Sequence, residues 1–386
     1  MGKINIGLFI DTFFPMIDGV VMVVDNYARR LVNYANVFVF APVVPGQKFD
    51  DSKLPYKVIR CKSLDVSFVD YSLPLPDLDR KFKKQLDDCH LDIVHIHSPA
   101  TIGSIGVKYA KMHNIPVVAT LHSQYKQDFL RATHSKYLSK KLTDHIVKLF
   151  SNCDECWTLN NEVARIFKED YGLKKKLILY PNATDMEPID MAEARNEICE
   201  KHNIDPNDKI FLFVGRINKL KNIDLIVDSL PYIDFNYKMI FIGNGQDEDY
   251  LKDKINKNKI EDHVLMIGRV TDRNILAKYY AAADLFLFPS LYDANSLVQI
   301  EAASQHTPTL FVNGSATSNM VTGDKNGFFA ENNVSDYSTK IREIFLNEKL
   351  LNKVCEGAYK DLYIRWDDVV KLIFGAYERL IESRDK

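Results

Sequence analysis

At 386 residues the chain exceeds what one ordinary hydrophobic core supports, so two domains are expected. A hydrophobic content of 46% with 26% charged residues excludes a disordered chain, and no apolar run reaches the length that spans a bilayer. The formal net charge is −2, yet residues 1–180 carry 25 Lys and Arg against 19 Asp and Glu; totals of 50 and 52 leave 25 against 33 for the rest, so the basic first half is the one suited to an anionic surface.

The start, M-G-K-I-N-I-G-L-F-I, reads as a strand and lacks the apolar core of a signal peptide; with Ile6 where Ser or Thr is needed, it is also a poor myristoylation signal. A cytoplasmic, reduced protein is expected, because the six cysteines at 61, 89, 153, 156, 199 and 355 form no ligand-like second cluster. Cys153-Asp-Glu-Cys156 has CxxC spacing but lacks a second pair or a nearby His, so structural thiols are expected there.

Ile4–Ile10, Val37–Ala41, Ile93–Ile96 and Pro116–Leu121 read as buried strands separated by stretches long enough for crossover helices, which predicts a doubly wound parallel sheet. Between the first strand and the helix predicted from about Val20 lies D-T-F-F-P-M-I-D-G-V, whose Gly19 would let backbone approach a ligand at the carboxyl end of the sheet. His122 follows the fourth strand in V-A-T-L-H-S-Q-Y and is expected to offer a hydrogen bond to a substrate hydroxyl. In I-V-H-I-H-S-P one of His95 and His97 should face the sheet interior; without a carboxylate in register the pair is not expected to bind metal. From Arg131 to Phe150, Leu138, Leu142, Ile146 and Leu149 make one helical stripe beside Lys136, Lys140, Lys141 and Lys148, and Lys81, Lys83 and Lys84 add a second basic cluster. Such a face can lie on anionic lipid, although a helix packed on its own domain has the same pattern.

A boundary is expected near Tyr180-Pro181-Asn182-Ala183, with 185–190 as linker. The same grammar then repeats in Lys209–Gly215, Lys238–Gly243, His263–Ile267, Ala283–Pro289 and Thr309–Val312, giving a second Rossmann-like sheet. In F-L-F-V-G-R-I-N-K-L-K-N, Arg216 sits at a strand tip and Lys221 at a helix entrance, two fixed cations suited to a diphosphate. Gly243-Asn244-Gly245 and Gly268-Arg269-Val270 are two further strand-end loops, each also compatible with plain turn chemistry. F-P-S-L-Y-D-A-N-S-L-V-Q-I-E-A-A, residues 288–303, feeds a buried strand through a loop carrying Asp293 into a helix starting near Ser296. The unpaired N–H groups and positive dipole end at Ser296, Leu297 and Val298 suit a phosphate, while the carboxylates of Asp293 and Glu301 suit hydroxyl groups. Together these point to a nucleotide diphosphate carrying a sugar. The tail from Asp367 to Ile381 reads as an amphipathic helix.

The order G-R-x-x-x-x-K, G-x-G, then P-S-x-x-[E/D]-x(7)-E resembles the retaining glycosyltransferases of family 4, and F-P-M-I-D-G-V-V, T-L-H-S-Q-Y and Y-P-N-A-T-D extend the likeness over nearly the whole chain. The first-loop and histidine segments are most similar to members that glycosylate diacylglycerol or phosphatidylinositol. The resemblance implies an α/β GT-B fold of two Rossmann-like domains facing a deep cleft: 1–183, binding the acceptor and covered by a helix at about 364–386, and 184–363, binding the nucleotide sugar. It implies that Arg216 and Lys221 hold the donor diphosphate, Glu301 the ribose hydroxyls, the amides at Ser296, Leu297 and Val298 the phosphate nearest the sugar, and Asp293 the transferred sugar. Gly243, Asn244, Gly245, Arg269 and Val270 would border the base, and Gly19 and His122 would contribute from the other domain. The implied reaction moves a hexose from a UDP-sugar, or GDP-mannose, to a lipid or glycan hydroxyl with retention, by front-face attack and without cofactor or metal.

The chain departs from the family pattern at Asp293, where Glu is usual, at Ser296, where Gly is usual, and at Asn319, where a Glu often stands. Those departures keep two alternatives open, a non-catalytic sugar-nucleotide-binding partner of a glycosyltransferase and a sugar-nucleotide epimerase of the same fold. Nucleic acid is not an expected partner, since the basic residues are not interleaved with aromatics in a recognisable module.

Overall fold

Long apolar runs buried on both faces are what parallel strands covered by helices require, and the chain uses them twice. The computed structural model describes residues 3–65, 72–123, 125–291, 293 and 296–384. Tyr292, Ala294 and Asn295 of the Asp293 loop and Gln124 of the His122 segment lie outside the described residues. Two compact units result: unit 1 is Met1–Pro181 with Trp366–Lys386, and unit 2 is Asn182–Arg365.

The strands of unit 1 are β1 (Asn5–Phe9), β2 (Asn36–Pro42), β3 (Lys57–Cys61), a short antiparallel pair β4 (Ser63–Leu64) and β5 (Leu73–Pro74), then β6 (Ile93–Ile96), β7 (Val117–Leu121), β8 (Glu155–Thr158) and β9 (Leu177–Leu179). Among the described residues all but that pair form one parallel sheet in the order β3-β2-β1-β6-β7-β8-β9. Its helices are α1 (Gly19–Leu31), α2 (Arg80–Asp87), α3 (Thr101–His113), α4 (Tyr125–Thr133), α5 (Lys136–Ser151) and α6 (Asn161–Arg165). Asp18 caps α1 by accepting from the Val21 N–H at 2.8 Å, a contact worth about 1 kcal/mol.

Unit 2 holds β10 (Lys209–Val214), β11 (Tyr237–Ile242), β12 (Val264–Gly268), β13 (Leu285–Phe288), β14 (Thr309–Val312) and β15 (Phe328–Ala330), all parallel, in the order β12-β11-β10-β13-β14-β15. Helices α7 (Met191–His202), α8 (Ile223–Ser229), α9 (Glu248–Lys257), α10 (Arg273–Ala282), α11 (Leu297–Ser304), α12 (Val334–Leu346) and α13 (Glu348–Leu362) complete it. Phe211, Leu212, Phe213, Phe286 and Leu287 are fully buried, each contributing about 1.5–3 kcal/mol of hydrophobic stabilisation.

In both sheets the strand order reverses beside the first strand, between β1 and β6 and between β10 and β13. Open α/β sheets bind ligands beyond the carboxyl ends of their strands at such a switch point. The last helix, α14 (Trp366–Arg384), belongs to unit 1 and buries Trp366, Val369, Val370, Ile373, Tyr377 and Leu380 along one face. Its polar edge pairs Arg30 with Asp367 at 2.7 Å and Arg379 with Glu155 at 2.7 Å.

Helix α5 differs from its reading. The buried face is Ser139, Thr143, Ile146 and Phe150, so only Ile146 of the leucine-rich stripe is fully covered. The Ser139 hydroxyl donates to the Lys126 carbonyl at 2.7 Å, which turns that small-residue face toward α4 and leaves Leu138 43% exposed. Small polar residues allow the close helix approach here, where hydrophobic periodicity alone favours the leucines.

Candidate active site

The switch point of unit 2 gathers the strongest chemistry. After β10 the chain makes a single helical turn at Lys219–Lys221, capped by Asn218, whose side chain accepts from the Lys221 N–H at 3.2 Å. After β13 it passes Pro289 and Ser290 to Asp293. The Asn222 side chain donates to the Pro289 carbonyl at 3.2 Å and so ties the two strand ends together. Across them the Lys221 ammonium donates to both Asp293 oxygens at 2.5 and 2.6 Å, with each side chain only 19% exposed. Residues assigned from the sequence to different parts of a donor are here each other's partner. Arg216 at the neighbouring tip is exposed and makes no hydrogen bond or ion pair among the described residues.

The glycine loops have a packing explanation. A Cβ on Gly243 would lie 1.9 Å from the Gly215 carbonyl oxygen, and one on Gly245 would lie 2.0 Å from that of Ile217. Backbone bonds from Gly215 to Ile242 (3.0 Å), Ile217 to Asn244 (3.1 Å) and Gly243 to Gly268 (2.8 Å) join the tips of β10, β11 and β12 into one layer. Only glycine permits that approach. Asn244 and Arg269 project from the layer to solvent, while Val270 packs on the core.

Helix α11 starts after Ser296, whose side chain makes no capping bond, and its first turn contains no acidic residue. Among the described residues its leading N–H groups at Leu297 and Val298 therefore have no side-chain acceptor, the arrangement that receives an anion. Glu301, further along the same helix and 5% exposed, accepts from Arg273 Nη1 at 2.7 Å and from the Tyr280 hydroxyl at 3.0 Å, one donor on each oxygen. Sequence reading missed both donors. They stand on α10, and no local motif connects them with a carboxylate a strand and a loop further on.

In unit 1 His122 directly follows β7 and is 8% exposed. Its Nε2 and His97 Nδ1 share a 3.0 Å hydrogen bond, which two neutral rings can make with one donor and one acceptor. His95 uses both ring nitrogens, on Tyr377 at 2.6 Å and Thr120 at 2.7 Å. Both His95, in β6, and His97, just after it, are thus buried, where the sequence suggested one. Burial lowers the His122 pKa to about 3 and pushes those of His95 and His97 well below the ordinary value. Asp11, beyond β1, caps α3 through the Ile102 N–H at 2.8 Å and the Thr101 hydroxyl at 3.1 Å, yet burial raises it to about 6. Burial likewise lifts Asp128 to about 6 against the nearby Arg131. Gly19 opens α1 with nothing within 4 Å of where a Cβ would stand, so the protein leaves that space clear.

These shifts give a pH dependence of known sign. In the unfolded chain His95, His97 and His122 take up protons as pH falls through about 6.5, which their buried rings in the folded protein do not do, so acidification costs stability. Asp11 and Asp128 act oppositely, but only below about 6 and with two groups against three. The thermal midpoint is expected to fall between pH 7 and pH 5, and His97→Asn to flatten the slope. A midpoint that rises over that window contradicts neutral, buried imidazoles.

Residues 17–188 match glycosyltransferase family 4, and residues 194–361 match the glycosyl transferases group 1. The chain belongs to glycosyltransferase family 4. It is 27% identical over 356 residues to the alpha-monoglucosyldiacylglycerol synthase of Acholeplasma laidlawii, a stretch that covers 85% of each chain. Among solved structures it is similar to sucrose-phosphate synthase of Thermosynechococcus elongatus, with a TM-score of 0.82 at 17% identity over 99% of this chain and 100% of that one. It is also similar to Anabaena HepE in complex with UDP and glucose, with a TM-score of 0.77 at 14% identity over 97% and 99% of the two chains. The fold of this glycosyltransferase is accordingly GT-B, with both parallel sheets in Rossmann order.

Proposed function

We propose that this glycosyltransferase moves a hexose from a nucleotide diphosphate sugar to an acceptor hydroxyl with retention of anomeric configuration. The observation that carries the proposal is the set of groups at the switch point of unit 2: Lys221 held by Asp293, Arg216 unpaired beside them, and α11 presenting uncapped N–H groups one turn before Glu301. Arg216, Lys221 and the α11 amides are assigned to the diphosphate, Glu301 to the ribose hydroxyls and Asp293 to the sugar. The loops at Gly243–Gly245 and Arg269-Val270 are assigned to the base. Gly19 and His122 of unit 1 are assigned to substrate binding. A UDP-sugar is favoured, as HepE binds UDP and glucose in a similar fold.

When a diphosphate arrives, Lys221 exchanges a carboxylate for a phosphate partner, and Asp293 is released to accept from a sugar hydroxyl. Charge growing on the departing diphosphate is then met by a fixed ammonium, a guanidinium and a helix dipole, groups already oriented before the bond breaks. Those cations take the part a metal ion would play, so transfer in excess chelator is expected to match transfer without it. Retention follows from attack on the face the diphosphate leaves: the acceptor oxygen bonds to the anomeric carbon as the bond to the diphosphate breaks, and the departing phosphate oxygen takes the hydroxyl proton. The test is product formation from a panel of nucleotide sugars by the purified chain, with diacylglycerol vesicles or a glycan precursor as acceptor. Donor conversion that needs no acceptor would point to an epimerase, and donor binding without any conversion to a non-catalytic partner.

A lipid acceptor is favoured by the likeness to a diacylglycerol glycosyltransferase and by the surface of α4 and α5. On α5 Tyr137 is 69% and Leu138 43% exposed, with the Lys141 ammonium over the Tyr137 ring and Lys136 and Lys140 exposed on the same helix, and Leu130 of α4 is 38% exposed. Among the described residues no helix is long and apolar enough to cross a membrane, and peripheral binding at the inner face of the cell membrane is proposed. Flotation with vesicles rich in phosphatidylglycerol should carry the protein up, and Lys136→Glu with Lys140→Glu and Lys141→Glu should abolish it. Equal flotation of wild type and the triple variant would remove this surface from the account.

A further inference from the structure

We propose that Arg273 is a positioning residue for the nucleoside, fixing the Glu301 carboxylate so that its two free acceptor sites face a vicinal diol. This rests on the assignment of Glu301 to the ribose. A carboxylate has about four lone-pair sites, two on each oxygen. Arg273 takes one on Oε1 at 2.7 Å and Tyr280 takes one on Oε2 at 3.0 Å. Each oxygen thus retains one acceptor site, and the plane of the group is set by donors on both sides. A vicinal diol is the ligand that offers two O–H donors at matching separation.

Arg273 is itself anchored. Its Nη2 donates to Asp185 Oδ1 at 2.8 Å and to the Thr184 hydroxyl at 3.3 Å, and the Thr184 N–H donates to the Ile364 carbonyl at 2.9 Å. The guanidinium fork therefore spans two carboxylates, one on α11 and one in the first residues of unit 2. A lysine, as a single point charge, cannot reproduce that geometry. Its Nε is buried without a partner among the described residues, an unfavourable state for a group serving stability alone. With the Arg273 side chain 37% exposed, its ion pairs add little to stability, so the retained cost fits a residue kept to aim the carboxylate.

The test uses the full chain and two matched ligand pairs, UDP with 2′-deoxy-UDP and GDP with 2′-deoxy-GDP, titrated calorimetrically. Wild type should prefer the ribose form of its own base by about tenfold or more, the value of a hydrogen bond to a charged group. Arg273→Gln should erase most of that preference while leaving affinity for the deoxy form within about threefold. Arg273→Lys should restore it in part, and serves in place of Arg273→Gln if that variant does not fold. An unchanged ribose preference in both Arg273 variants, with the preference lost in Glu301→Gln, overturns this inference and leaves the donor-site assignment standing. A ribose preference intact in Glu301→Gln, or wild type that binds neither pair, overturns the assignment and the inference together.

Discussion

Lys221→Ala is expected to lower the rate of sugar transfer at saturating donor and acceptor by about a hundredfold or more, the order of loss when one preorganised electrostatic stabiliser is removed. The variant loses the ammonium that would meet the leaving diphosphate, and it strands a half-buried Asp293 whose two oxygens both rest on that ammonium at 2.5 and 2.6 Å. Lys221→Arg should not restore the rate fully, since a planar fork replaces a compact charge in a space closed by the Phe288 ring 5.8 Å away. Initial rates measured with both variants decide the matter, and turnover by Lys221→Ala within about threefold of wild type would exclude Lys221 from the transition state.

The second large effect concerns stability. Gly243→Ala places a methyl group 1.9 Å from the Gly215 carbonyl oxygen at a residue whose φ is +137°, so the layer joining β10 to β11 must open. Overpacking costs about 1–3 kcal/mol and a sparsely populated backbone about 1–3 more, and a loss of about 3 kcal/mol is expected by chemical denaturation. Gly375→Ala is the contrasting case. It lies within α14 with nothing within 4 Å of the added carbon, and it should stabilise by about 0.5–1 kcal/mol. A neutral Gly243→Ala would mean that the G-N-G loop is not packed on the Gly215 turn.

The architecture was legible because parallel strands leave continuous apolar runs; F-L-F-V at β10 and L-F-L-F at β13 could hardly be anything else. Strands with mixed or short runs escaped, notably β3 with Lys57 and Arg60 within it, β8 with Glu155, and the three-residue β9 and β15. Site elements that follow a strand, such as Arg216, Lys221 and the α11 entrance, could be placed from local grammar. What could not be read was pairing at long range. Nothing near Asp293 announces that it holds Lys221, and Arg273 meets Glu301 only because α10 and α11 pack together. The histidines show the same limit: one inward ring is expected, but residues two apart along a strand share a face, and α14 returns from the far end of the chain to cover His95 with Tyr377.

Helix α5 carries a related lesson. Counting leucines at helical spacing picked out a stripe, whereas the buried face is set by where Ser139 and Thr143 let α4 come close. The exposed Leu138 and Tyr137 that result are the feature on which lipid binding would depend.

The measurement that bears most directly on the central claim is the anomeric configuration of the first product. Purified chain, an α-linked nucleotide diphosphate hexose and diacylglycerol vesicles should give a glycolipid whose anomeric proton signal is that of the α-linkage, formed in chelator and formed far more slowly by Lys221→Ala. A β-linked product would contradict front-face transfer with retention.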